Sequence, residues 1–262
     1  MAVLTGSVAK RIAGPTPKQL APGVWWQRVG MPDAETVRIV VCVHGTGSNG
    51  RDELDGCVPF ADSAFRHRGD SGVLLAPTFE VPYQFLEPDL SSAVLAWIDR
   101  AAEPYRVHRK IGLWGFSGGA QFVHRFALQH PGRVDRVAAF AAGEWTVPDG
   151  THDGLMSRTA WFEHPPFDAY PGLREAATRP AAEGWESIRW LVGCGVEDMP
   201  ERFESARWFA ERLRQVNPGG DIRKLHYAGD HARTPHAAHQ AAWAFLAEPD
   251  PPVKQAVATR PS

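Results

Sequence analysis

Lys110 to Gly119 reads KIGLWGFSGG, an apolar run that ends in Gly115-Phe116-Ser117-Gly118-Gly119 and leads straight into an amphipathic stretch. A serine between two glycines can occupy a sharp, strained turn joining a strand to a helix, because neither Gly115 nor Gly119 carries a Cβ that would collide with the flanking elements. Such a turn lifts the serine hydroxyl above the sheet edge. The helix behind it offers unpaired N–H groups and the positive end of a dipole, which favour negative charge developing beside the serine. Ser117 is therefore a candidate nucleophile for acyl transfer. An inert Gly-rich connection or a phosphate-type turn is the competing reading, and the strand before and helix after argue against it.

Acyl transfer also needs two backbone donors aimed at a tetrahedral oxyanion. Val40 to Gly50 reads VVCVHGTGSNG, an apolar strand opening into a Gly-rich loop, and the expected donors are Thr46 N–H and Gly118 N–H. His44 is read as a structural histidine that holds this loop. A neutral serine hydroxyl is a poor nucleophile, so a base steadied by a carboxylate must stand beside it. Leu191 to Pro200, LVGCGVEDMP, runs from an apolar strand into Glu197 and Asp198. The competing role for Asp198 is to cap the helix that Pro200 begins. Tyr227 to Gln240, YAGDHARTPHAAHQ, offers His231, His236 and His239 as bases. A zinc site built from these histidines with Asp230 or Asp198 matches no HExxH or cysteine-rich template, and no GxGxxG or P-loop fingerprint is present. Neither a metal nor a cofactor is expected.

With these motifs in order, the chain resembles the α/β-hydrolase superfamily over roughly residues 24 to 247, and HGTGSNG with GFSGGAQFVHR resembles, more narrowly, the polyhydroxybutyrate-depolymerase-like bacterial esterases. The resemblance implies the order serine, acid, histidine. On that order the acid is Asp198, with Glu197 the alternative, and the base is His231, which lies in a turn marked by Gly229 just past the last strand. His236 is the next choice; with His239, three residues on, it shares a face of the final helix, a solvated or packed one. The implied activity is hydrolysis of carboxylic esters through an acyl-enzyme. Amide or lactone hydrolysis, or transfer of the acyl group to another acceptor, would use the same constellation. A ligand-binding protein on a retained hydrolase fold is the rival of another class.

The elements that must hold these groups alternate as βα units, which predicts an α/β fold with a mostly parallel central sheet flanked by helices. Strands are expected at Val24–Val29, Arg38–Val43, Val73–Ala76, Lys110–Trp114, Val134–Ala141, Ile188–Val192 and Ile222–Tyr227. Helical spacing of apolar residues marks 90–102, the stretch after Ser117, a helix around Phe203 to Leu213, and a last one carrying Ala242, Phe245 and Leu246. The 262 residues form one domain, and residues 144–187 are too long for an ordinary connection. They are read as a small cap over the sheet. Aromatic residues there and after the third strand, namely Phe79, Tyr83, Phe85, Trp145, Trp161 and Phe162, are expected to line a mouth that prefers apolar or aromatic esters, as Phe167 and Tyr170 in the same insertion could. The first twenty or so residues and the tail from Glu248 read as loose termini.

Composition fits this picture and narrows the partners. Hydrophobic residues make up 44% and charged residues 22%, with a formal net charge of -2, so nothing electrostatic points to nucleic acid or an anionic membrane. A small-molecule ester is the expected partner, and the oligomeric state is open, a homodimer included. Cys42, Cys57 and Cys194 read as reduced core thiols. With no apolar leader or span in view, a soluble cytoplasmic protein is expected.

Overall fold

In the computed structural model, which describes residues 16–80, 83–153, 173–231 and 235–250, every strand expected from the sequence forms. In chain order the strands are β1 (Lys18–Ala21), β2 (Val24–Gly30), β3 (Thr36–Val43), β4 (Ser71–Pro77), β5 (Arg106–Val107), β6 (Ile111–Phe116), β7 (Val134–Phe140), β8 (Trp145–Thr146), β9 (His152–Asp153), β10 (Arg189–Gly195) and β11 (Ile222–Tyr227). The helices are α1 (Gly50–Arg68), α2 (Pro88–Ala102), α3 (Gly118–Gln129), α4 (Leu173–Ala177), α5 (Pro200–Val216) and α6 (His236–Leu246). The main sheet runs β1-β2-β4-β3-β6-β7-β10-β11, with β5 paired to β3 off this path. β1 and β2 are antiparallel to their neighbours, and every pairing from β4 to β11 is parallel.

Both faces of this sheet are covered, and the two-residue period of the strands divides the side chains between them. On β3, Val37, Ile39, Val41 and Val43 join one core with Val94, Phe122, Phe126 and Phe209 of α2, α3 and α5. Val40 and Cys42 point the other way, into a second core with Leu54, Phe65 and Trp243 of α1 and α6. Each large side chain sealed in this manner stabilises the fold by roughly 1.5–3 kcal/mol over its exposed state. Cys42, Cys57 and Cys194 are buried free thiols.

Helix α1 went unread in the sequence because Gly56 and Pro59 interrupt its pattern. Its buried residues Leu54, Cys57, Ala61 and Phe65 nevertheless keep helical spacing. Capping holds the ends: Asn49 Oδ1 accepts Asp52 N at 3.0 Å, and Gly69, at φ 69°, donates its N–H to Arg66 O at 3.0 Å.

Two expectations about the termini are corrected. Lys18–Ala21 is not loose but forms the antiparallel edge strand β1. The tail is tied down as far as Asp250 by a charged network at the N-terminal ends of the parallel strands. Arg38 Nη1 lies 3.1 Å from Asp135 Oδ2 and its Nη2 lies 2.5 Å from Asp250 Oδ1, while Arg136 Nη2 is 2.7 Å from both carboxylates. Arg189 and Arg223 hold Asp221 at 2.8 Å each and close on Glu248. Arg38 and Arg136 are 1% and 0% exposed, too buried to remain charged without such partners.

The stretch 144–187 opens with the β8–β9 antiparallel pair and closes with α4 and a 3₁₀ turn at Trp185–Ser187. Its first residues are anchored in the main core, where the Trp145 ring stacks on Phe209 with centroids 4.4 Å apart. Trp161, Phe162, Phe167 and Tyr170 lie outside the described residues.

Candidate active site

Ser117 sits between β6 and α3 with φ 55° and ψ -118°, one of three non-glycine residues at positive φ among the described residues. Backbone in this region costs about 1–3 kcal/mol and persists only where its surroundings hold it. Here the holding groups are visible. A Cβ on Gly119 would lie 2.0 Å from Val43 O, and one on Gly115 would lie 2.4 Å from Gly119 O. The turn thus presses β6, α3 and the end of β3 together at distances that admit only glycine, and Ser117 N–H donates to Phe140 O at 2.9 Å.

The loop after β3 reaches the same place. A Cβ on Gly118 would stand 3.2 Å from Thr46 N, so the two backbone amides expected to share an oxyanion are neighbours beside Ser117. His44 pins this loop. Its Nδ1–H donates to Gly45 O at 2.8 Å and its Nε2 accepts Phe79 N–H at 2.9 Å, which fixes the neutral tautomer; burial holds its pKa below the ordinary value despite the Gly45 bond. Tyr83 Oη donates to His44 O at 2.7 Å, and Gln84 Nε2 donates to Thr46 Oγ1 at 2.9 Å.

Asp198 and His231 come from the loops that follow β10 and β11, and those loops are bound to each other. Val196 N–H donates to Tyr227 O at 2.9 Å and Glu197 N–H to Gly229 O at 3.1 Å, while a Cβ on Gly195 would meet Gly229 O at 2.1 Å. This brings His231 Nδ1–H to 3.1 Å from Asp198 Oδ2, which leaves Nε2 to accept the Ser117 hydroxyl at 3.0 Å. The Asp198 side chain is 1% exposed and that of His231 35%, and Ser117 is half-buried, so the acid is sealed while the hydroxyl can meet a substrate. Burial pushes the Asp198 carboxyl up, but the bond from His231, the Arg202 guanidinium and the Met199 N–H outweigh it and hold the group below the usual carboxylate range. Ser117, His231 and Asp198 thus form one hydrogen-bonded chain whose sealed carboxylate fixes the imidazole with Nε2 toward the hydroxyl.

The other candidates fall elsewhere. Glu197 is exposed and points into no such chain. His236 and His239 pack on Phe60 of α1, with ring centroids 4.5 and 4.9 Å away. Among the described residues no three His, Cys, Asp or Glu side chains converge as metal ligands would, and no helix is long and apolar enough to cross a membrane.

Three of the aromatic residues expected to line a mouth do not. Phe79 (7% exposed) and Trp145 (0%) are core residues, packed on Phe122 and Phe209 respectively, and Tyr83 (2%) spends its hydroxyl on His44 O. Each ring has neighbouring apolar rings that gain more from burying it than from leaving it to a cleft. Phe85 stays half-buried beside the Arg125 guanidinium. Sequence reading missed Arg202, whose Nη1 lies 2.7 Å from Asp198 Oδ1; the available signal was its four-residue distance from Asp198 across the start of α5.

No protein-family model and no curated protein matches this sequence, so the narrower resemblance to polyhydroxybutyrate-depolymerase-like esterases gains no support. The solved structures show the fold: it is the α/β-hydrolase fold. A substrate-bound fluorophosphonate-binding serine hydrolase F, FphF, from Staphylococcus aureus matches with TM-score 0.60 at 12% identity, over 89% of this chain and 97% of that one. Est1E from Butyrivibrio proteoclasticus matches with TM-score 0.56 at 15% identity, over 85% and 93%. The S-formylglutathione hydrolase FrmB of Staphylococcus aureus matches with TM-score 0.54 at 14% identity, over 86% and 93%.

Proposed function

We propose that this protein is a serine hydrolase of carboxylic esters, with Ser117 as nucleophile, His231 as general base and acid, Asp198 as the carboxylate that orients His231, and the Thr46 and Gly118 amides as oxyanion donors. The observation that carries the reading is the unbroken chain Ser117 Oγ–His231 Nε2 at 3.0 Å and His231 Nδ1–Asp198 Oδ2 at 3.1 Å, set on a strained turn. Ser117 Oγ attacks the acyl carbon while its proton passes to His231 Nε2. The tetrahedral oxyanion is held by the two amides and collapses, expelling the alcohol with the proton from His231. Water then attacks the acyl-Ser117 ester, gives its proton to His231, and the carboxylic acid leaves as Ser117 recovers the proton. The esterases and serine hydrolases among the fold's neighbours support this chemistry.

For the substrate, a small-molecule ester with an apolar part is the reading supported by the partly exposed ring of Phe116, next in the chain to Ser117 and 4.9 Å from the His231 ring. The test is a fluorophosphonate probe together with a panel of aryl and alkyl esters of graded acyl length. Labelling of the protein but not of S117A, with turnover that rises from acetate to longer apolar acyl groups, is expected. An unlabelled, inactive wild type would defeat the reading, and labelling with equal kcat/KM across the panel would defeat the apolar part of it.

A further inference from the structure

Asp198 is held by more than its histidine. Its Oδ1 accepts Met199 N–H at 2.7 Å and Arg202 Nη1–H at 2.7 Å, while Oδ2 accepts His231 Nδ1–H at 3.1 Å and faces Cys194 Sγ at 3.9 Å. A carboxylate has about four lone-pair directions, and here each has a group in place. Arg202 lies in the first turn of α5, one residue beyond the Pro200-Glu201 start, and its side chain is 4% exposed. An arginine and an aspartate four residues apart across a helix start usually meet in water. Both are sealed here, where a buried ion pair adds little net stability over apolar side chains of equal size.

From this geometry we infer that Arg202 is a positioning residue: it locks the Asp198 carboxylate so that Oδ2 stays directed at His231 Nδ1, and so sets the imidazole for proton transfer with Ser117. Resting on the hydrolase reading above, it acts only through Asp198. Removing its guanidinium leaves Oδ1 with the Met199 amide alone, and the carboxylate can then rotate away from the imidazole. A misplacement on the order of an ångström costs about 10²-fold in rate.

The experiment is a double-mutant cycle of R202M with D198N, in which folding is read by circular dichroism and kcat and KM are read separately. R202M should lower kcat by about 30- to 100-fold with KM within about twofold, and the downfield proton resonance of the His231 Nδ1–H should broaden or shift. In the D198N background R202M should add less than about twofold, because the group it acts through is gone. Additive losses, or a folded R202M with wild-type kcat, would overturn the inference. If R202M does not fold, R202L, which keeps apolar bulk and has no donor, takes its place in the same cycle under the same criteria. Fluorophosphonate labelling of the wild type separates the two levels: no label on Ser117 overturns the hydrolase reading itself, whereas normal labelling with additive losses overturns only the role of Arg202.

Discussion

The two ends of the parallel sheet are built on opposite principles. At the C-terminal ends of the strands, between Ser117, His231 and the Thr46 loop, hydroxyl, imidazole and amide groups are held by hydrogen bonds and one strained turn, with Ser117 and His231 partly open to water. At the N-terminal ends, Arg38, Arg136, Arg189 and Arg223 are locked to Asp135, Asp221, Glu248 and Asp250 in a network of full charges. Chemistry needs a proton that can move and a nucleophile that can be reached; a fastened sheet needs neither. Asp198, a sealed charge at the reactive end, is anchored with the other end's device, a buried arginine.

This contrast can be broken at either end. The largest effect is expected at the top: S117A and H231A should each lower kcat by about three orders of magnitude or more while leaving the unfolding midpoint in place. D198N should follow closely, since an amide permits the wrong imidazole tautomer, and exposed E197Q should stay within about twofold; steady-state kinetics with circular dichroism on the same samples would show a misassigned acid if that ranking reversed.

Next comes the bottom. R136M removes one of the two arginines paired with Asp135 and Asp250, at a fully buried site, and should cost about 3–5 kcal/mol in urea unfolding, with kcat per folded molecule unchanged. A loss of kcat in the folded fraction would mean that the two ends are coupled.

Acid should weaken the fold in two stages. Burial keeps His44, His130, His226 and His239 below the ordinary histidine value, so the unfolded chain takes up protons first as pH falls below about 6.5 and stability begins to drop there. Asp250 is pushed up by burial but drawn down to about 2 by Arg38, His108 and Arg136, so its contribution is intact above the ordinary value of 3.8 and is lost between there and about 2. Urea midpoints measured across pH should fall in two stages, and D250N should flatten only the second. The smallest effect belongs to Y83F, which removes the bond to His44 O and should lower kcat about two- to fivefold; a wild-type rate would mean that Phe79 N–H and Gln84 suffice to place Thr46.

The reactive end was far more legible in the sequence than the fastened one. Ser117, Asp198 and His231 stand at strand ends marked by Gly115, Gly195 and Gly229, where the chain can make only a few turns, and the apolar runs behind them name the strands. The aromatic residues misled because an aromatic side chain after a strand looks the same whether it turns outward or inward; Phe79 and Trp145 turned inward onto Phe122 and Phe209. The charged network left little local trace beyond the neighbouring pairs Asp135 with Arg136 and Asp221 with Arg223. Arg38 lies 97 residues from Asp135 and 212 from Asp250, and Asp250 sits in a Pro- and Ala-rich stretch whose composition reads as slack. Helix α1 was hidden for the reverse reason: Gly56 and Pro59 break a local pattern that packing on β2 and β4 restores.

The same network imposes an order of events on a chain emerging from the ribosome. Arg38 and Arg136 share a single carboxylate, Asp135, until Asp250 is made, 114 residues after Arg136 and on the order of ten seconds later at ordinary translation rates. For that interval the nascent half-sheet carries two guanidiniums and one counter-charge at positions that the finished protein seals from water. Solvated arginines hold the strand ends open, so protease protection of β3 and β7 in stalled chains should appear only once residue 250 has cleared the exit tunnel.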